Sequence, residues 1–262
     1  MADTIKNKLD KQSPRFQYAN HILNKLKDKP LYQLDEYLES EVNKFVVTHI
    51  VPNLFSEYET CDMEILQKGG VDAVATEHGS VEYDFVEIKS ANRYIDGSLK
   101  TFVLELGYTT EKASNPIIGW YLRDGIITSH YLLIWPKANA FGTIEKTYQN
   151  QKTRVYSVFG YDEIEYVDFV LVKKTVIQNY LDSIGLNKSN LLSILQECRT
   201  KDGAAEEINN QIKDSGVSID CSSIETLPIN LKIDKNKYKE LAIKSGRVYN
   251  KCPGTICDIP VK

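Results

Sequence analysis

Three ionisable residues, Asp72, Glu87 and Lys89, occur in a stretch that is otherwise rich in apolar and β-branched residues. The segments Val71–Thr76 and Val81–Ser90 have the composition of two β-strands, and the polar residues between them are typical of a tight turn. The sequence therefore predicts a β-hairpin. Two carboxylates and a lysine on one patch of such a hairpin would bind a hard, oxygen-seeking cation and hold a positive group beside it. Metal-assisted hydrolysis of phosphate esters uses groups of this kind.

The register of the hairpin decides whether the two carboxylates meet. Pairing of Thr76 with Val81 would place Asp72 opposite Phe85 and make it a diagonal neighbour of Glu87, at roughly 7–8 Å. Two carboxylates at that separation can share one cation. The predicted register therefore favours a single metal-binding patch on one face of the hairpin.

This pattern resembles the PD-(D/E)XK nuclease superfamily, which includes many restriction endonucleases. Asp72 matches the first acid, Glu87 and Lys89 match the E-x-K, and Val71 stands where the superfamily's name has proline. Asp84 is a competing first acid at shorter spacing, but the alternation of side chains along a strand points it away from Glu87. Asp72 is therefore the preferred first acid.

The resemblance implies a metal-dependent endonuclease that hydrolyses DNA phosphodiester bonds. It implies Mg²⁺, for which Mn²⁺ can substitute, held by Asp72, Glu87 and the backbone carbonyl of Ile88. Lys89 would orient or help to deprotonate the attacking water and offset charge on the phosphate. Two other classes stay open: a non-catalytic DNA-binding or interaction protein that keeps the nuclease fold, and another metal-dependent phosphoesterase. The implied fold is α/β, with a restriction-endonuclease-like core in which helices flank a central mixed β-sheet.

Residues 31–47 show the clearest helical periodicity ahead of the hairpin. Apolar residues recur there at helical spacing and form one stripe, and Pro30 just before it is a helix start signal. Glu41 lies within about 20° of Leu34, on one margin of the stripe, and Glu39 lies on the opposite margin. In the resembled superfamily, a helix ahead of the hairpin often carries a further acid facing the metal. Glu41 is the first candidate for that ligand and Glu39 the second.

Two further segments, Lys100–Gly107 and Ser129–Pro136, have the pattern of strands. Glu105 lies within the first of them, where an unpaired carboxylate is costly to bury, so it is another candidate ligand. With the helix and the hairpin, these strands would complete the core that the resemblance implies: a helix, three antiparallel strands and a further strand. A basic or amide residue that the superfamily often adds to the site is left open between Lys112 and Arg123.

Length and composition, with 262 residues, 26% charged and 42% hydrophobic, are those of a globular protein. The predicted organisation is a basic segment 1–30, a nuclease-like core 31–174 and an accessory, mostly helical region 175–262, with the resemblance covering roughly 31–136. No apolar run is long enough to span a membrane, and the first 30 residues are too charged for a secretory signal. Five scattered cysteines favour a reducing, cytoplasmic setting.

The net charge of −4 is unevenly distributed. Residues 1–30 hold seven Lys/Arg against three Asp, and residues 228–262 hold eight against three Asp/Glu, so the middle of the chain is strongly acidic. Such basic ends are either simply solvated or contact phosphates beside an acidic metal site. Cutting both strands of a duplex with one site per chain would further favour a homodimer. The candidate DNA-binding residues are the basic residues of the two ends: Lys6, Lys8, Lys11, Arg15, Lys235, Lys237, Lys239, Lys244 and Arg247.

Aromatic and histidine residues give weaker signals. A dense aromatic group is expected in the core rather than stacked on bases, and its members are Trp120, Tyr121, Tyr131 and Trp135. The four histidines are isolated in the sequence and show no ligand spacing: His21, His49, His78 and His130.

Overall fold

The computed structural model describes residues 13–108, 117–147, 153–200, 203–221, 228–251 and 255–258. Its α-helices are α1 (Pro14–Lys27), α2 (Leu31–Phe45), α3 (Val51–Leu54), α4 (Glu64–Lys68), α5 (Lys174–Ser183), α6 (Lys188–Thr200), α7 (Ala204–Gln211) and α8 (Lys235–Leu241). Its strands are β1 (Phe55–Thr60), β2 (Ala73–Glu77), β3 (Asp84–Ser90), β4 (Thr101–Tyr108), β5 (Ile117–Ile118), β6 (His130–Ala138), β7 (Gly142–Thr147), β8 (Thr153–Val158), β9 (Ile164–Lys173), β10 (Val217–Cys221), β11 (Ile229–Asp234), β12 (Lys244–Tyr249) and β13 (Ile256–Cys257). None of the helices in these ranges is both long and apolar enough to cross a membrane.

The strands form two sheets and a separate hairpin. A seven-stranded sheet has the order β1-β2-β3-β6-β9-β12-β13, a four-stranded sheet has the order β10-β11-β4-β5, and β7 pairs with β8. Neighbours in the large sheet are antiparallel except β3 and β6, which are parallel. Parallel neighbours need a long crossover connection, and here that connection carries β4 and β5 of the smaller sheet. The chain therefore has an α/β fold whose large mixed sheet is flanked by helices.

One face of the large sheet is covered by the N-terminal helices. Leu38 and Val42 of α2 are fully buried in the same apolar cluster as Val86 of β3 and Leu132 of β6. Burial of each such side chain contributes about 1.5–3 kcal/mol. The helical stripe seen in the sequence is thus the surface by which α2 is fixed over β3.

The opposite face of the large sheet packs against the smaller sheet. Tyr131 and Leu133 of β6 share an apolar cluster with Leu104 of β4 and Leu231 of β11. Because successive residues of β6 contribute alternately to the two clusters, this strand is buried on both faces. Such burial explains its nearly continuous apolar sequence.

The predicted helix over residues 31–47 is confirmed as α2. It begins directly after Pro30 and ends at Phe45, where a five-residue π-helical turn, Val46–Ile50, continues the chain into α3. Strand β1 follows α3 directly and was not predicted from the sequence. β1 is an edge strand with mostly exposed side chains, so it has little of the apolar alternation that marks a half-buried strand.

The prediction that residues 100–107 are the third strand of the hairpin's sheet was wrong. A strand does form there, but β4 pairs with β11 and β5 in the smaller sheet. The third antiparallel strand beside β2 and β3 is β1, which precedes them in the chain. The apolar alternation of residues 101–106 predicts a strand but cannot specify its partner.

The C-terminal region is built into both sheets. Among the residues that the structure describes from 175 onward are helices α6, α7 and α8, as expected, and also the four strands β10 to β13. β12 pairs with β9 in the large sheet, and β11 pairs with β4 in the smaller one. The sheets therefore run across the position at which the sequence suggested an accessory region.

Candidate functional site

The β2–β3 hairpin brings two of the predicted site residues face to face. Ala73 pairs with Val86 and Ala75 with Asp84, and just ahead of this ladder the N–H of Asp72 donates to the carbonyl of Val86 at 2.9 Å. Asp72 therefore lies beside the part of β3 that carries Glu87, and the two carboxylates interact electrostatically. The predicted register, with Asp72 opposite Phe85, was wrong by two residues. The connection between the strands spans residues 78–83, which is longer than the predicted turn. A two-residue shift keeps every side chain on its expected face, so the two acids still share one patch.

Glu87 and Lys89 form an ion pair on this patch. Lys89 Nζ lies 2.6 Å from Glu87 Oε1, and the Glu87 side chain is only 5% exposed, against 35% for Lys89. Asp72 is fixed differently, because its Oδ2 accepts a hydrogen bond from the backbone N–H of Ile88 at 2.7 Å. The residue between the members of the E-x-K thus orients the first acid through its main chain.

The second carboxylate oxygen of Glu87 contacts Thr128, in the loop before β6. Thr128 Oγ1 is buried, lies 3.3 Å from Glu87 Oε2 and donates more closely to the carbonyl of Gly70, at 2.5 Å. Gly70 has φ +77°, and a Cβ added there would lie 2.8 Å from Thr128 Oγ1 and 3.2 Å from Glu87 Oε2. Glycine is therefore required for both its backbone conformation and its lack of a side chain.

Two further carboxylates surround Lys89. Glu39 of α2 interacts electrostatically with both Lys89 and Asp72, and Glu105 of β4 interacts with Lys89. We call the five residues together the lysine site, which consists of Glu39, Asp72, Glu87, Lys89 and Glu105. It contains four carboxylates and a single ammonium group.

The electrostatics of the lysine site reflect this excess of negative charge. Burial raises the pKa of Glu87, and Asp72 raises it further, while Lys89 opposes both effects. Desolvation by the surrounding groups also raises the pKa of Asp72, although this residue as a whole is exposed to solvent. Burial alone would lower the pKa of Lys89, but Glu87, Asp72 and Glu39 outweigh it and the pKa is raised. A bound cation would relieve the same imbalance.

Glu41, the first candidate for an acid on the helix, has another role. It is buried, its Oε2 accepts from the backbone N–H of Tyr161 at 2.8 Å, and its Oε1 is ion-paired with Lys44. The prediction that Glu41 faces the metal was therefore wrong, and the reserve candidate Glu39 is the acid coupled to the site. The angular positions of Glu39 and Glu41 place them on opposite margins of the apolar stripe of α2. They do not show which margin lies against the hairpin.

Trp120 forms one wall of the site. Its ring lies 5.3 Å from Lys89 Nζ and packs edge-to-face against Tyr131 at 5.8 Å between ring centroids. The predicted burial of the aromatic group is confirmed for Tyr121, Tyr131 and Trp135. Trp120 is only half-buried, and its open face carries the lysine ammonium group.

Four of the C-terminal candidates for DNA binding are paired with other groups of the protein. Asp168 is buried and forms ion pairs with Arg247 Nε at 2.6 Å and Lys235 Nζ at 2.5 Å. Lys237 is paired with Glu240, and Lys244 Nζ donates to the carbonyl of Asn53 at 2.7 Å. The expectation that this cluster presents open charge to phosphates was wrong for Lys235 and Arg247, which stabilise a buried carboxylate.

At the N-terminal end, Arg15 is paired with the buried Glu163 at 2.8 Å. Lys6, Lys8, Lys11 and Lys112 lie outside the described residues.

Two other basic residues lie closer to the lysine site. Lys174 donates to the carbonyl of Ile126 at 3.1 Å, and its ammonium group interacts electrostatically with Glu87. Arg123, one of the two residues left open in the sequence analysis, donates to the carbonyl of Lys68 at 3.0 Å. Arg123 thus lies beside the segment that leads into Gly70.

The other face of the hairpin carries a second cluster, which the sequence analysis missed. Glu77 ends β2, Asp84 begins β3 and His130 begins β6, and one potential ligand atom from each lies within 4.8 Å of the others. We call these three residues the histidine site. They could hold a metal ion. The parallel pairing of β3 with β6, over a long crossover, brings His130 to the hairpin, so its isolation in the sequence gave no signal.

Known proteins provide no family for this arrangement: no family model, no curated protein and no solved structure matches the chain.

Proposed function

We propose that this chain is a Mg²⁺-dependent nuclease that hydrolyses phosphodiester bonds of DNA at the lysine site. The observation that carries the proposal is the grouping of Asp72, Glu87 and Lys89: Asp72 Oδ2 accepts from the N–H of Ile88 at 2.7 Å and interacts electrostatically with Glu87, and Lys89 Nζ lies 2.6 Å from Glu87. Two carboxylates on adjacent strands and one ammonium group are the donors that a hard cation and a phosphate require.

The donor set of the site fits a hard divalent cation. Asp72, Glu87 and the backbone carbonyl of Ile88 would hold it, and all three donors are oxygens, which Mg²⁺ prefers. Glu39 and Glu105 add negative charge around them. When bound, the metal lowers the pKa of a coordinated water and polarises the phosphate.

Lys89 acts in this site as a fixed positive charge. Its pKa is raised by the surrounding carboxylates, so the ammonium form is favoured at neutral pH. An ammonium group stabilises negative charge that develops on a phosphate but cannot accept a proton from water. Of the two roles that the sequence suggested for Lys89, electrostatic stabilisation is therefore the better supported.

A groove beside Lys89 offers room for a substrate strand. It has a volume of about 590 Å³ and is lined by α2, the end of β3 and strands of the smaller sheet. Polar side chains on its walls include Asn92, Asn230 and Lys232, while Glu39 and Lys89 border the same groove. Lys174 and Arg123 are the basic residues placed to contact phosphate groups beyond Glu87.

The strand order also supports the proposal. Helix α2 is followed by the antiparallel strands β1, β2 and β3, and β6 then lies parallel beside β3. A helix, three antiparallel strands and a further strand make up the core implied by the resemblance noted in the sequence. The homodimer stays a prediction.

The experiment is cleavage of supercoiled, linear and single-stranded DNA in the presence of Mg²⁺, with EDTA as the blank. We expect Asp72→Asn, Glu87→Gln and Lys89→Ala each to lower the cleavage rate by at least a hundredfold. Glu82→Gln is the matched control, because Glu82 is an exposed carboxylate in the same hairpin. Equal cleavage by wild type and all three site variants would refute the proposal, and DNA binding without cleavage would identify a non-catalytic binding protein.

A further inference from the structure

The histidine site has an unusual hydrogen-bonding pattern around a buried imidazole. The His130 side chain is 4% exposed, and its Nε2 has no hydrogen-bond partner among the described residues. The nearest carboxylate oxygen, Glu77 Oε1, lies 3.6 Å away, which is too far for a hydrogen bond. A buried nitrogen without a hydrogen-bond partner lowers the stability of the fold unless another group or ion binds it.

The other ring nitrogen shows which tautomer is present. Nδ1 of His130 lies 2.8 Å from Ser129 Oγ and 3.2 Å from Asp84 Oδ1. Ser129 Oγ also accepts from the N–H of Phe85 and can donate its single hydrogen to the carbonyl of Phe85, while the carboxylate of Asp84 can only accept. A proton on Nδ1 therefore satisfies both Ser129 and Asp84, and we assign the proton to this nitrogen.

It follows that Nε2 presents a bare lone pair to the carboxylate of Glu77. Two acceptors that face each other at 3.6 Å repel, and a cation between them would relieve the repulsion. With metal–ligand bonds of about 2.0–2.2 Å, two ligands at a tetrahedral angle lie roughly 3.4 Å apart, which is close to the observed separation.

We propose that the histidine site binds a divalent transition-metal ion of the zinc type, through His130 Nε2 and Glu77. Asp84 is a positioning residue that accepts the Nδ1 proton, as carboxylates commonly do behind a metal-bound imidazole. The side chains of Glu77 and Asp84 are 24% and 17% exposed, so an ion can enter from solvent. An imidazole ligand favours Zn²⁺ or Co²⁺ over Mg²⁺, which separates this site from the lysine site.

A metal ion here would connect three strands. Glu77 ends β2 and His130 begins β6, while Asp84 begins β3 between them. The ion would fix the 78–83 connection to the parallel pair at one edge of the sheet. Its contribution is therefore to stability, independent of any cleavage at the lysine site.

The test is a Co²⁺ titration of the full chain after removal of metals by EDTA, followed by visible absorption. It is performed on wild type and on the double variant Asp72→Asn/Glu87→Gln, which removes both acids of the lysine site. We expect absorption bands of nitrogen-coordinated Co²⁺ in both proteins, with at least a tenfold loss of affinity in Glu77→Gln and in His130→Gln. Asp84→Ala should weaken binding by about tenfold, and Asp84→Asn, which keeps an acceptor for Nδ1, should restore most of the loss.

The matched control is His78→Gln, because His78 is an exposed histidine in the same hairpin connection. It should bind Co²⁺ as wild type does. Unchanged affinity in Glu77→Gln, loss of binding in His78→Gln, or no Co²⁺ bands in wild type would each overturn the proposal. Glu77→Gln carries the test if His130→Gln fails to fold, since Glu77 is partly exposed. The double variant keeps the histidine site, so its Co²⁺ bands test this proposal separately from the nuclease proposal.

Discussion

The two faces of the β2–β3 hairpin differ in how their charge is balanced. In the lysine site a cation is supplied by the protein itself, because Lys89 lies 2.6 Å from the buried Glu87. In the histidine site the carboxylate of Glu77 lies 3.6 Å from Nε2 of His130, and that nitrogen has no hydrogen-bond partner among the described residues. The first site is therefore complete enough to fold without metal, whereas the second gains most from a bound ion.

This difference follows from strand geometry. Side chains alternate along β3, so Asp84 and Glu87 lie on opposite faces although only two residues separate them. Each face then receives a different third group: α2 and β4 add carboxylates to one, and β6 adds an imidazole to the other. One hairpin can thus carry two ion sites of different chemical preference.

The largest expected effect comes from removing the internal cation of the lysine site. Lys89→Met keeps most of the apolar stem but leaves Glu87 buried without its partner, which should lower the free energy of unfolding by about 3 kcal/mol in EDTA. Urea unfolding measures the change. Lys68→Met is the control, because the Lys68–Glu64 pair is exposed and should contribute less than about 1 kcal/mol. Adding Glu87→Gln to Lys89→Met should recover most of the loss, and equal effects of the two lysine variants would contradict this account.

A second test concerns the close approach of the backbone to Glu87. Gly70→Ala imposes a positive φ on alanine and places its Cβ 2.8 Å from Thr128 Oγ1, so we expect a loss of about 2 kcal/mol in unfolding free energy. Gly79→Ala is closely matched, since Gly79 has φ +84° with nothing within 4 Å of the added Cβ. Gly79→Ala should lose only the free energy of holding alanine at a positive φ, about 1 kcal/mol in unfolding free energy. A smaller loss at Gly70 than at Gly79 would show that the packing around Glu87 is loose.

The sequence predicted the chemistry of the lysine site better than its geometry. Residue types and strand alternation placed Asp72, Glu87 and Lys89 on one face, and that placement survived the two-residue error in register because the side-chain period is two. The helix that holds Glu39 was predicted from its apolar stripe. Which margin of that stripe meets the hairpin depends on how α2 crosses the sheet, so Glu41 was chosen in place of Glu39.

Features that depend on pairing between distant segments could not be predicted from the sequence. The parallel neighbour of β3 is β6, which begins 40 residues after β3 ends, and only this pairing brings His130 to Glu77 and Asp84. Similarly, Lys235 and Arg247 looked like a basic cluster open to solvent. Their partner Asp168 is in β9, and the sheet pairing of β12 with β9 places it opposite Arg247. A local pattern cannot specify such partners.

A third test separates the two faces through Ser129, whose hydroxyl group contacts His130 of the histidine site. Ser129→Ala removes the acceptor of the Phe85 N–H and one of the two acceptors of His130 Nδ1, so we expect a loss of about 1–2 kcal/mol in unfolding free energy. Ser183→Ala is the control, because Ser183 donates to the carbonyl of Tyr180 at an exposed position. Co²⁺ affinity should fall in Ser129→Ala while Mg²⁺-dependent cleavage is retained. Loss of cleavage without loss of Co²⁺ affinity would show that Ser129 supports the lysine site and not the histidine site.

The smallest expected effect concerns the outer carboxylate of the lysine site. Glu39 interacts with both Asp72 and Lys89, so Glu39→Gln removes a negative charge that would attract a cation held by Asp72 and Glu87. One charge at this range, largely screened by water, contributes about 1 kcal/mol, which corresponds to about a fivefold loss of Mg²⁺ affinity. Glu36→Gln is the matched control on the same helix, since Glu36 is exposed as Glu39 is but lies outside the lysine site, and it should change the affinity by less than about twofold. Calorimetric titration with Mg²⁺ measures both variants, and the Co²⁺ affinity of the histidine site should be unchanged in each. Equal Mg²⁺ affinities in the two variants would show that Glu39 is a solvated helix residue, and that the lysine site attracts its metal with Asp72 and Glu87 alone.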